Sequence, residues 1–284
     1  MQNPLDSPLF QSSVAPFATG MLVALLLGLH PRARFLQGLA VMAGLAVTAG
    51  LSLGLEFEPL TSTRKILLCS LILPWVGLAF ATGRVSALVE ALVLALLLFA
   101  AALWVAAPVL GRADGWVLVA VAARVGLFAA ATGALLVWFG RRDSLRQGSA
   151  ALALAVNLGL AALIAASALY GQLALGTAAA LAGVLAARLL VWRRWPAVQR
   201  ASLGSLAVFA AAVPLGLVGG AATVYARLPS LALPFLLLAP VVVALPLARD
   251  WRPLPRLALL SLLALLASAP AVVIAWYSAG AVGF

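Results

Sequence analysis

The sequence predicts an all-α, polytopic bundle of membrane-spanning helices, and three observations carry that prediction. Hydrophobic residues make up 65% of the chain and charged residues only 9%, against roughly a quarter charged in ordinary soluble domains. The charges fall in short clusters. The apolar runs between them are about 17 to 25 residues long, the length that spans a hydrocarbon core roughly 30 Å thick. No polar stretch is long enough for a soluble domain, so the 284 residues read as one integral membrane domain with short loops.

Ten spans are expected, roughly 8–29, 36–55, 66–82, 85–109, 116–139, 150–172, 174–192, 202–225, 230–247 and 257–280, with eight or nine as the smaller counts. The first follows a segment, Met1–Ser13, that holds Asp6 and no basic residue. A cleavable signal peptide needs a positive start, so this span is expected to be retained. His30-Pro31 ends it as a stop signal. Spans three and four are expected to meet in a tight turn at Gly83–Arg84, and spans six and seven at Gly171–Gln172, the least distinct boundary.

Charge tests this division. The odd-numbered loops hold thirteen basic residues: Arg32, Arg34, Arg84, Arg141, Arg142, Arg146, Arg188, Arg193, Arg194, Arg200, Arg249, Arg252 and Arg256. The even-numbered side holds four, namely Arg64, Lys65, Arg112 and Arg227, and Arg124 lies within a span. Such alternation is the positive-inside pattern. It places the odd loops in the cytoplasm and both termini outside, in a bacterial inner membrane. The preference for arginine over Lys65, the only lysine, fits a coding bias toward G and C. Aromatic residues agree: Tyr170, Tyr225, Tyr277, Trp116 and Trp276 fall near outer ends, and Trp138, Trp192, Trp195 and Trp251 near inner ones, the headgroup levels that Trp and Tyr favour.

The net charge of +11 follows from this bias and implies no nucleic-acid partner, because the basic residues form no continuous stripe. The expected surroundings are the lipid bilayer, with membrane-protein partners or further copies of the chain. Small residues recur at four-residue spacing as Ala46, Gly50 and Gly54, as Ala179, Gly183 and Ala187, and as Gly216 and Gly220. That spacing lets helix backbones approach closely in lipid.

Catalytic patterns are missing from the sequence. One histidine and one cysteine, Cys69, do not make a conventional zinc site, no Gly-rich phosphate loop occurs, and no acid pair lies deep in a span. The chain is therefore expected not to be an enzyme and to carry no metal or cofactor. Candidate substrate-binding residues are the polar groups within spans: Arg124, Glu90 and Asn157. Placing arginine near a helix centre costs roughly 2.5–3.5 kcal/mol, so Arg124 calls for a cavity, a partner or snorkelling to the outer headgroups. Glu90 is expected near the cytoplasmic face, within reach of Arg84, and Asn157 is expected to bond across helices. The loop with Glu56, Glu58, Arg64 and Lys65 is the most polar outer segment. Pro74, Pro214 and Pro240 mark expected helix breaks, since proline removes a backbone donor.

Ten spans divide into halves, 1–140 and 141–284, of opposite orientation. Spans three and eight, with Pro74 and Pro214, are then equivalent positions, and paired broken helices point to transporter binding sites. Two readings follow. One is a small permease or exporter for a small or anionic solute or a lipid. The other is a non-catalytic structural or accessory subunit of a larger membrane assembly. A polar midplane cavity lined by Arg124 favours the first and a solid bundle the second.

Overall fold

The structure, a computed structural model, describes residues 7–28, 36–54, 58–81, 85–140, 143–192, 203–245 and 251–281. His30, Glu56, Arg84 and most of the arginines of the odd loops lie outside them. The described residues fold as an all-α bundle with eight helices long and apolar enough to cross a membrane. Two shorter apolar stretches, at 38–53 and 232–242, bring the count to ten.

A π-helical turn, Phe10–Val14, leads into α1 (Ala15–Gly28). Helix α2 is Gly38–Leu53, and α3 (Ser62–Ile72) continues as a 3₁₀ helix, Leu73–Phe80. Helices α4 (Ala87–Leu110), α5 (Gly115–Gly140), α6 (Ser144–Ile164), α7 (Ala168–Trp192) and α8 (Ser205–Tyr225) follow. Span nine is two pieces, α9 (Ala232–Leu236) and α10 (Leu238–Val242). Span ten is α11 (Pro253–Ser268) and α12 (Pro270–Ala281).

Caps set the starts. The side chains of Thr61, Ser86 and Asp143 accept from the backbone N–H groups of Arg64, Val89 and Leu145, satisfying donors that a helix N-terminus leaves free. Asp143 starts span six at Ser144, six residues before the sequence expectation of 150. The turn to span seven also moves, from Gly171–Gln172 to Ala165–Ser167. There Ser167 N–H bonds the Ala162 carbonyl and Ala166 N–H the Leu163 carbonyl, with Ala166 at φ 66. This is a Schellman ending with alanine where glycine is usual. The Ser167 hydroxyl then caps α7 by accepting from Tyr170 N–H. Gly171 lies inside α7 instead, where a Cβ on it would strike the Leu163 side chain.

Helix α8 occupies the axis. It packs against α2, α3 with its 3₁₀ extension, α4, α5, α6 and α7, and 17 of its 21 residues are buried. Its composition explains this: a helix apolar all round belongs in the centre. Glycine lets neighbours close on it. A Cβ at Gly216 would lie 3.1 Å from the Ala129 backbone, one at Gly220 3.1 Å from the Val125 carbonyl, and one at Gly77 2.9 Å from the backbone of Ser205 and Leu206. A second close contact joins α1, α2 and α7 around Ala180, whose atoms would meet a Cβ on Gly20 or on Gly44. The close glycine contacts of α2 are at Gly38, against Leu206 of α8, and at Gly44, against α1 and α7; of the expected Ala46, Gly50 and Gly54, the first two are partly exposed and the third is exposed.

Spans three and eight are not alike. Span three changes from α to 3₁₀ at Pro74 and has 39% of its apolar window buried, whereas α8 runs on through Pro214 with 89% buried. The outer helices α11 and α12 lie against α6 and span nine.

The close contact at Ala180 yields a test. Gly20→Ala puts a methyl group 2.6 Å from the Ala180 carbonyl oxygen and should destabilise the protein by about 1–3 kcal/mol in thermal unfolding in detergent. Gly280→Ala, with nothing within 4 Å, should leave the transition unchanged.

Candidate functional site

Polar side chains gather at three places, and each gathering answers a break or an end of a helix. At one end of the bundle Pro108 sits inside α4. It has no N–H for the carbonyl four residues back, that of Trp104. Lys65 supplies the missing donor: its Nζ bonds the Trp104 carbonyl at 3.2 Å and stands 5.0 Å from the Trp104 ring centroid, within cation–π range. The neighbouring Val105 carbonyl accepts from the Ser62 hydroxyl at 3.3 Å and the Tyr225 hydroxyl at 3.1 Å. Tyr170, near the start of α7, is at the outer end expected of it but is buried among helices. This Lys65 end unites the starts of α3 and α7 with the ends of α4 and α8.

The second place lies between α6 and span ten. Pro270 cannot donate to Leu266, and the Ala269 N–H turns to that carbonyl instead. The Leu265 carbonyl, released by this change, accepts from Asn157 Nδ2 at 2.9 Å. The same amide donates to the Ser268 hydroxyl at 2.6 Å, and Ser268 donates to the Ala264 carbonyl.

The third place is the opposite end. Arg146 is 5% exposed, and its Nη1 donates to the carbonyls of Val243, Ala244 and Leu245 at 3.0, 3.1 and 2.7 Å. These are the last carbonyls of the short span nine, where a helix leaves its acceptors unsatisfied. Beside it Asp143 forms an ion pair with Arg256. This Asp143 end unites the starts of α6 and α11 with the end of span nine. The described ends therefore alternate, as successive crossings require.

The candidate substrate residues are not brought together. Arg124 lies in the first half of α5 with its side chain exposed, so it lines no interior cavity. Glu90 is buried in the first turn of α4 and engaged there. Gly126 faces Phe99 and Gly133 faces Leu94 and Leu98, so Arg124 lies level with about residue 101 of α4. That is roughly 16 Å along the axis from Glu90 at 1.5 Å per residue. Asn157 is committed to span ten. In the outer loop Glu58, Arg64 and Lys65 are at the Lys65 end, and Arg64 Nη1 donates to the Pro59 carbonyl at 2.7 Å. Pro74 opens the 3₁₀ segment, and Pro240 lies in α10, after the interruption at Leu237.

A cavity of about 10 Å³, room for roughly one water, is lined by Leu136, Ala151, Leu181, Leu203, Ala207 and the partly polar Gln147 among others. Among the described residues no group of three or more His, Cys, Asp or Glu side chains gathers to hold a metal ion. No protein-family model, curated protein or solved structure matches the chain.

Arg146, Pro108 and Pro270 were not singled out in the sequence as site residues. The available signals were Asp143-Ser144 as a cap, which puts Arg146 inside a helix, and proline four residues after a carbonyl that needs a new donor. Two substitutions test these roles in detergent unfolding. Asn157→Ala should cost about 0.6–1.7 kcal/mol, and the loss should shrink in a Ser268→Ala background. Arg146→Met, which leaves three carbonyls without their donor, should cost about 1–3 kcal/mol.

Proposed function

We propose that this multi-pass membrane protein is a non-catalytic accessory or scaffold subunit of a bacterial inner-membrane assembly. Its arginine-rich Asp143 end would face the cytoplasm and both termini the outside. The single observation behind this reading is α8. An apolar helix fills the axis of the bundle, and glycine brings the α5 backbone against it, in the position a carrier needs for a polar path. The three interior polar clusters described above serve helix ends and breaks, which leaves the surface as the working part. The orientation rests on the distribution of basic residues between loops.

A second reading, a small permease or exporter for a small or anionic solute or a lipid, draws support from span nine. That span is broken at Leu237 and held at its end by Arg146, beside the Asp143–Arg256 pair. A short, broken helix fastened by a few charged contacts is an element able to move.

One pair of experiments separates the two. Deleting the gene should lower the abundance of a specific membrane partner that co-isolates with the chain at fixed stoichiometry. The purified chain alone in vesicles should carry no solute flux, with or without Arg256→Gln. Flux by the isolated chain that changes on Arg256→Gln would overturn the subunit reading in favour of the carrier.

A further inference from the structure

Arg124 is the one cation of the described spans that faces away from the bundle within a membrane-depth helix. Its surroundings fix its depth. Trp116 and Trp138 are exposed at 80% and 48% near the two ends of α5. They stand 22 residues apart, about 33 Å at 1.5 Å per residue, and so bracket a hydrocarbon core roughly 30 Å thick. Arg124 lies about 12 Å from Trp116 and about 21 Å from Trp138 on the same rise, in the leaflet at the Lys65 end.

The direction of the side chain then matters. Every Cα–Cβ bond of a helix tilts toward its N-terminus, which for α5 is the Trp116 end. Arginine there runs toward the nearer headgroups, with its stem in the acyl region and its charge directed at the headgroup level. No hydrogen bond or ion pair engages the Arg124 side chain among the described residues. A second copy in the same orientation offers no carboxylate at that depth. Glu58 and Asp114 lie at the Lys65 end beyond the span, Glu90 and Asp143 toward the other end, and Asp6, Glu56 and Asp250 fall outside the spans in sequence.

We infer that Arg124 binds the headgroup phosphate of a phospholipid in the leaflet at the Lys65 end, held against the exposed first half of α5. A planar guanidinium matches phosphate oxygens bidentately, and the apolar face of Val117, Leu118 and Leu127 lies beside the acyl chains. The inference is independent of the proposed function.

Native mass spectrometry of the full chain released from micelles containing phosphatidylglycerol tests it. The protein should retain one phosphatidylglycerol. Arg124→Leu should reduce that retention about fivefold, the factor one basic side chain contributes at an anionic bilayer surface, and Arg124→Lys should restore part of it. The melting temperature of Arg124→Leu should equal that of the parent. Equal lipid retention overturns the inference. Unfolding of Arg124→Leu overturns it in favour of a packing role, and retention of a partner polypeptide lost with Arg124→Leu overturns it in favour of a protein counter-charge.

Discussion

Hydrocarbon offers no hydrogen bonds, so each backbone carbonyl that a proline releases inside a span must find a donor within the protein. That constraint, with the like need at a helix end, accounts for where three of the scarce polar side chains lie. Lys65 meets the Trp104 carbonyl beside Pro108, Asn157 meets the Leu265 carbonyl ahead of Pro270, and Arg146 gathers the last three carbonyls of span nine. With only 9% charged residues, the chain has few such groups, and these three act on the main chain. The same bonds tie elements far apart in sequence: α3 to α4, α6 to span ten, and α6 to span nine.

Where no polar group acts, glycine and alanine do the joining. Helices in lipid gain no hydrophobic drive toward one another and rely on close packing. The contacts of Gly216 and Gly220 with α5, and of Gly20 and Gly44 with Ala180, bring main chains together at and beside the axis. Flexible side chains at those positions would separate the helices and weaken the dispersion contacts that replace the missing drive.

The class of fold and the number of crossings were legible because charge is so sparse that its positions alone punctuate the chain. The two ends of the bundle were legible from alternation, and the interhelical bond of Asn157 from its lone polarity in an apolar run. The turn between spans six and seven was not, because alanine adopts the φ that glycine usually supplies, while the nearby Gly171 is needed for packing against Leu163. The role of Arg146 was not, because a cation beside Arg141 and Arg142 reads as one more loop charge until Asp143 is seen to cap the helix that holds it. Arg124 was legible as costly; that it faces outward depends on which side of α5 the neighbours cover, which a single sequence does not state. Spans three and eight differ locally because Pro74 changes its helix while Pro214 does not.

Placing α8 at the axis has a consequence for biogenesis. The ribosome delivers seven crossings before this one, so those seven must wait in the bilayer around a vacancy, or in looser company, until Ser205–Tyr225 emerges to fill it. Closure is thus a late event of synthesis, and the intermediate that precedes it is the stage most exposed to the cell's membrane quality control.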